Sequence, residues 1–283
     1  MDFEKWQALG NDYVILEASR LPFELTPRRV QAICAPHTGV YADGVLLLSE
    51  VEEPRFVARL RVFNPDGSEA EVSGNGAREA ILYLRRAGWT TDDEFSIETA
   101  AGELKPTITS PTTCTVDMGR ARLQSDDYPG GGPDGVGELR AAGRTWRFQH
   151  VQVGNPQCSI RMASEQELAG LDLQEIGPQI EQHELFPNRT NVSFFTPLAP
   201  GRIRARIFER GVGETSASGA GAAGAAVAYV QQDGHSPVTV VLDGGELDVE
   251  VREDLGLTLS GWAVPVFRGT FAGELVEELR AVE

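Results

Sequence analysis

The sequence predicts an α+β protein of two pseudo-symmetric halves, each a mainly antiparallel sheet wrapped around one central helix. An internal duplication, one conspicuous helix per copy, and short strands between turn residues carry that expectation. The duplication is the firmest of the three. Residues 59–80, RLRVFNPDGSEAEVSGNGAREA, align without a gap on residues 204–225, RARIFERGVGETSASGAGAAGA, and nine of the 22 positions are identical. Average composition gives only about one or two. The matches include Arg59/Arg204, Arg61/Arg206, Phe63/Phe208, Glu69/Glu214 and Ser73/Ser218. Gly10-Asn11 against Gly154-Asn155, and Gly102-Glu103-Leu104 against Gly245-Glu246-Leu247, extend the correspondence at nearly the same offset. Two copies of one unit explain this better than coincidental Gly/Ala-rich similarity.

In the first copy, Val14–Glu17, Val45–Ser49, Ala58–Phe63, Glu94–Thr99 and Cys114–Met118 read as short strands between turn signals. In the second, Val151–Val153, Ile203–Phe208, Val238–Leu242 and Leu247–Val251 do the same. Over Gly76–Ala87 the apolar residues Ala77, Ala80, Ile81, Leu84 and Ala87 recur at helical spacing, and Gly88 ends the run. Ala222–Gln232 is so rich in Ala that it must pack closely on several sides. Between the copies, residues 125–135 hold so much Gly, Pro and Asp that a surface loop is expected. The predicted domains are residues 1–118 with a returning segment 264–283, and residues 119–263.

Composition narrows the function. Asp and Glu number 42 against 25 Lys and Arg, a formal charge of −17, which repels phosphate backbones and speaks against nucleic acid as a partner. There is no run of 18 apolar residues, so no membrane span is expected. Met1-Asp2-Phe3-Glu4-Lys5-Trp6 lacks the basic-then-apolar pattern of a signal peptide, so the cytoplasm is the expected location. Cys34, Cys114 and Cys158 are far apart, and the four His are scattered, so neither a disulfide framework nor a metal site is expected.

The chemistry-bearing motif occurs in both copies: a strand ending in Phe passes through a polar loop into Ser-Gly-x-Gly-Ala, where a helix starts. Ser73 and Ser218 suit the N-cap position, because a hydroxyl oxygen accepts a free N–H of the first turn. The glycines Gly74, Gly76, Gly219 and Gly221 suggest a further role. With no Cβ, they open the backbone N–H groups and the positive helix end to a carboxylate. Duplication then offers two like side chains to the opposite sides of a single ligand, as two-sided proton transfer at carbon requires.

The motifs resemble those of the diaminopimelate epimerase family over nearly the whole chain. They run from Leu9-Gly10-Asn11-Asp12 through His37-Thr38-Gly39-Val40-Tyr41-Ala42-Asp43-Gly44, Phe63-Asn64-Pro65-Asp66-Gly67-Ser68-Glu69 and Ser73-Gly74-Asn75-Gly76-Ala77-Arg78. Gly154-Asn155-Pro156, Thr190-Asn191-Val192 and Glu209-Arg210-Gly211-Val212-Gly213-Glu214-Thr215 follow in order. The resemblance implies a cofactor-free isomerase that inverts Cα of a small amino-acid substrate, LL- to meso-diaminopimelate in lysine and peptidoglycan synthesis, with a homodimer left open. It implies no metal. It places Ser73, Ser218 and Glu209 in catalysis, and Asn11, Asn64, Asn155, Asn191, Glu209 and Arg210 on the substrate. The backbone at Gly74, Asn75, Gly219 and Ala220 would hold the reacting carboxylate.

The departures matter as much as the matches. Ser73 and Ser218 stand at the family's two catalytic Cys positions, Gln157 replaces the His of its GNPHC motif, and Ala220 replaces a small hydroxyl residue. A helix N-terminus can bring a thiol to a pKa of roughly 3.5–7.5, but an alkyl hydroxyl starts several units higher. A Ser/Ser isomerase, a non-catalytic amino-acid-binding relative and a Cys-to-Ser substituted form are all open on the sequence. A serine hydrolase is disfavoured, because no G-x-S-x-G motif occurs.

Overall fold

The computed structural model describes residues 1–70, 73–232 and 234–282. The chain forms two compact units, Met1–Val116 with Gly261–Glu283, and Asp117–Ser260.

The first unit opens with β1 (Asp2–Ala8), β2 (Asn11–Glu17), α1 (Pro27–Cys34), β3 (Val45–Ser49), β4 (Phe56–Phe63) and β5 (Glu69–Ala70). It continues with α2 (Gly74–Ala87), β6 (Ser96–Thr99), β7 (Gly102–Leu104) and β8 (Pro106–Ser110), and β9 (Thr113–Arg120) carries the chain onward. The second unit contains β10 (Val136–Ala141), β11 (Arg144–Val153), β12 (Asn155–Arg161), α3 (Glu165–Ala169) and α4 (Leu173–Glu181). Then come β13 (Asn191–Ala199), β14 (Arg202–Glu209), β15 (Gly213–Thr215), α5 (Gly219–Gln231), β16 (Val238–Leu242), β17 (Gly245–Val251) and β18 (Gly256–Trp262). Finally β19 (Val264–Thr270) and α6 (Gly273–Ala281) complete the first unit.

The duplication is visible in the strand pairing. The order β1-β2-β3-β4-β6-β7 in the first unit repeats as β11-β12-β13-β14-β16-β17 in the second. The senses match pair by pair: β1–β2 and β11–β12 are antiparallel, and β2–β3 and β12–β13 parallel. Antiparallel β3–β4 and β13–β14 are followed by parallel β4–β6 and β14–β16. Two parallel pairs therefore interrupt each mainly antiparallel sheet. The first turns match as well, since Gly10 and Gly154 both adopt positive φ, +82° and +69°, where a side chain would strain the backbone. Asn11 and Asn155 thus begin equivalent strands.

Each central helix is shaped by its sequence. In α2 the buried Ala80, Ile81 and Leu84 face β1 to β4, and burying a Leu or Ile is worth roughly 1.5–3 kcal/mol. Gly88, left-handed at φ 80°, donates its N–H to Leu84 O and stops the helix. In α5 the residues Ala222, Ala223, Ala225, Ala226 and Ala228 are all fully buried, with β11 to β14, β16 and β17 packed around them. Such small side chains let strands approach from every side. A larger residue at Ala225 would overpack this core at a cost of about 1–3 kcal/mol.

The segment 125–135 forms turns, as its composition suggests, but it does not lie wholly at the surface. Tyr128 is buried, with its ring edge-on to Phe148 at 5.2 Å and tilted against Phe186 at 5.7 Å. One aromatic side chain anchors a stretch that its glycines and prolines keep out of regular structure.

Candidate active site

Both motif serines cap their helices. Ser73 Oγ accepts from Gly76 N–H at 3.1 Å and Ser218 Oγ accepts from Gly221 N–H at 3.2 Å. The first intrahelical bonds run from Ala77 N–H to Ser73 O and from Ala222 N–H to Ser218 O. The N–H groups of Gly74 and Asn75, and of Gly219 and Ala220, therefore precede any intrahelical partner and present donors at the positive helix end. That is the arrangement a substrate carboxylate needs.

Two of the four motif glycines serve packing instead of ligand access. A Cβ on Gly76 would lie 2.9 Å from Leu46 Cδ2, and one on Gly221 would lie 2.7 Å from Ile207 Cδ1. Their N–H groups are also already taken by the serines. The sequence expectation that all four glycines open the helix ends to a ligand is corrected here for Gly76 and Gly221.

Around Ser218 the second unit places Glu209, from the end of β14, with its Oε2 accepting from Ser218 Oγ at 2.9 Å. Ser218 is buried, whereas Glu209 is half-buried. Asn191 Oδ1 accepts from Arg210 N–H at 2.9 Å and its Nδ2 donates to Pro156 O at 3.0 Å. It fixes the backbone just after Glu209. Arg210 is exposed and donates to Asn188 O at 2.9 Å. Gln157 Nε2 donates to Asn155 Oδ1 at 2.6 Å, and the Gln157 side chain fills the space left by the missing Cβ of Gly224.

Around Ser73 the first unit builds a chain of amides. The fully buried Arg78 donates to Gly74 O at 3.0 Å and to Asn75 Oδ1 at 2.6 Å. Burial pushes its guanidinium down to about 10, which still leaves it charged at neutral pH. Asn75 Nδ2 then donates to Asn11 Oδ1 at 3.2 Å, and Asn11 Nδ2 to Asp43 Oδ2 at 2.8 Å. Arg78 and Asp43 thereby fix which way both amides face. Asn64 Nδ2 donates to Ser68 Oγ at 2.9 Å within its own turn.

Sequence reasoning missed Tyr13, whose phenol donates to Ser73 Oγ at 3.1 Å. The available signal was strand period: Asn11 and Tyr13 lie two apart on β2 and so point to the same face. Burial pushes the Cys34 and Cys114 thiols up to about 12 and raises Cys158 as well, so these cysteines are core residues. An open hollow of about 350 Å³ lined by Glu4, Glu17, Tyr83 and Arg268 contains none of these site residues. Among the described residues no cluster suits a metal ion, and no helix is long and apolar enough to cross a membrane.

The fold is shared by solved structures of low sequence identity. A phenazine biosynthesis protein of the PhzF family from Bacillus anthracis matches with a TM-score of 0.68 at 16% identity, covering 96% of this chain and 99% of that one. A hydroxyproline epimerase from Agrobacterium vitis matches with a TM-score of 0.64 at 15% identity, covering 95% and 91%. The architecture is thus shared with a phenazine biosynthesis protein and with an epimerase. Sequence narrows it further: the profile described as Diaminopimelate epimerase matches residues 3–124 and 149–263. A diaminopimelate epimerase of Synechococcus sp. (strain JA-2-3B'a(2-13)) is 39% identical over 285 residues, 96% of this chain and 99% of that protein. The chain belongs to the diaminopimelate epimerase family, and is an isomerase of that type.

Proposed function

We propose that this protein is a slow, cofactor-independent epimerase that inverts Cα of diaminopimelate, with serine hydroxyls in the two proton-transfer positions. One observation carries the reading: Ser218, at the start of α5, gives its hydroxyl proton to Glu209 Oε2 at 2.9 Å while Gly221 N–H holds its oxygen. An alkyl hydroxyl is about as weak an acid as water, so on its own it supplies no useful base near neutral pH. With Glu209 behind it, Ser218 Oγ can take the α-proton as its own proton passes to the carboxylate. The carboxylate at Cα, bound at the helix starts, would share the charge that develops.

In this reading Ser73, Ser218 and Glu209 are the proton-transfer set. Asn11, Asn64, Asn155, Asn191, Glu209 and Arg210 recognise the amino acid, and Asn191 also braces the Glu209–Arg210 backbone. Gly74, Asn75, Gly219 and Ala220 supply N–H groups to the carboxylate. The proposed domains are residues 1–118 with 264–283 and residues 119–263, the substrate puts the enzyme in lysine and peptidoglycan synthesis, and the cytoplasm is the proposed location.

The hydroxyls themselves favour a second reading, an amino-acid-binding relative without catalysis, because a carboxylate relayed through Ser is a much weaker base than a thiolate. Incubating LL- and meso-diaminopimelate in heavy water separates the two. Epimerisation carries deuterium into Cα. A protein that is stabilised by the ligand in a thermal-shift assay yet leaves Cα unlabelled is a binder.

A further inference from the structure

We propose that Tyr13 is the proton source behind Ser73, a positioning and relay residue for the first unit's half of the reaction; the inference rests on the epimerase reading above. Ser73 Oγ accepts two hydrogen bonds, from Gly76 N–H at 3.1 Å and from the Tyr13 phenol at 3.1 Å. Both its acceptor positions are thereby filled, and its own O–H is left to donate. Ser218 is wired in the opposite sense, since it donates to Glu209 and accepts from Gly221. One hydroxyl is prepared to give a proton, the other to receive one.

The two copies diverge in a complementary way. Tyr13 is the third residue of β2 and Gln157 the third residue of the equivalent β12, so the phenol has an amide as its counterpart. Asn64 follows β4 and Glu209 ends the equivalent β14, so the carboxylate also has an amide as its counterpart. Each serine is hydrogen-bonded to an ionisable side chain, and the two side chains come from different strands. The Tyr13 ring is built in: it is 5% exposed, and a Cβ on Gly44 would lie 2.7 Å from its Cε1, one on Gly76 3.3 Å from its Cε2.

A carbanion at Cα takes the Ser73 hydroxyl proton, using its electron pair to form the C–H bond as the Ser73 O–H bond breaks. The Tyr13 proton moves to Ser73 Oγ, and the phenolate left behind is reprotonated by solvent. Reversal removes the α-proton through Ser73 to the phenolate. A phenol, with a reference pKa near 10, is about five to six orders of magnitude more acidic than an alkyl hydroxyl, so charge left on Tyr13 is far easier to carry than charge left on Ser73.

The test is Tyr13→Phe, which keeps the ring between Gly44 and Gly76. Inversion of LL- and of meso-diaminopimelate, and deuterium exchange at Cα with retention, are followed separately in heavy water. Inversion is expected to fall at least tenfold, while exchange with retention, which needs only Ser218 and Glu209, persists from one of the epimers. In a Ser73→Cys background the same substitution is expected to cost less than threefold, because a thiol gives up its own proton. Unchanged inversion in Tyr13→Phe, or a parallel fall of inversion and retention exchange in both backgrounds, overturns the relay while leaving the epimerase reading intact. Absence of any Cα exchange by the parent chain overturns both.

Discussion

Asn64 and Glu209 occupy the same place in the duplicated unit, yet only Glu209 receives the hydroxyl of the serine nine residues later. Asn64 turns its amide to Ser68 Oγ at 2.9 Å instead. Duplication supplied two like frames, and side-chain divergence made the two serines chemically unlike. In the proposed function one serine accepts a proton and the other donates one, and that assignment needs this difference.

Glu209→Gln tests the acceptor side. The amide keeps the size of the side chain but cannot take the Ser218 proton, so deuterium incorporation at Cα should fall by about 10²–10⁴-fold. Stabilisation by diaminopimelate in a thermal-shift assay should remain, because the helix N–H donors are untouched. Loss of binding together with exchange would place Glu209 on the substrate alone.

The fold and the serines were legible in the sequence because the signals are local or repeated. An ungapped repeat sets Ser73 against Ser218, and a helical apolar period with a closing Gly88 bounds α2 to within two residues of its start. The parallel pairings β2–β3 and β4–β6 were not legible, since alternation of side chains does not report which strand lies alongside. Tyr13 was obscured because an aromatic residue in a strand reads as core, and it is indeed buried. Its contact with Ser73 joins residues 60 apart. The packing role of Gly76 and Gly221 was equally hidden, because it depends on Leu46 and Ile207 across the sheet.

Gly221→Ala sets helix propensity against packing. Alanine in a helix is worth about 0.8–1.0 kcal/mol more than glycine, which alone would stabilise α5. The new Cβ, however, would stand 2.7 Å from Ile207 Cδ1 and 2.9 Å from its Cγ2, inside a fully buried core. Overpacking at about 1–3 kcal/mol should win, lowering the urea midpoint without changing the slope. A raised midpoint would mean that Ile207 yields easily and that this glycine belongs to the ligand after all.

Glu79, one turn into α2, is fully buried, and burial raises its carboxyl well above the usual range, against the opposing charge of Arg78. The folded state therefore holds this proton at pH values where the unfolded chain has released it. Stability contributed by the neutral carboxyl is complete below the unfolded value, about 4.3, and is lost as pH rises from there towards the raised folded value. Glu79→Gln removes the titration. Its melting temperature should match the parent near pH 4 and exceed it by several degrees near pH 8. A gap that does not widen with pH would show that the parent carboxyl is ionised in the fold.

The joint substitution Ser73→Cys with Ser218→Cys asks whether the frame is complete apart from its acids and bases. Both positions are first-turn caps whose Oγ accepts from the third helical N–H, and a thiolate there gains from the same N–H groups and the same helix dipole. Those interactions lower a thiol from its reference near 8.5. The double variant should therefore epimerise diaminopimelate at least 100-fold faster than the parent, with the rate rising between about pH 6 and 9 as thiolate forms. Each single variant should gain much less, since inversion runs only as fast as its weaker face allows. Deuterium exchange with retention supplies the internal control, because one improved face suffices for it. If the double variant binds diaminopimelate but leaves Cα unlabelled, the serines are not what limits the chemistry. Attention then moves to Gln157, whose Nε2 is committed to Asn155, and to Ala220, which offers the helix start no hydroxyl.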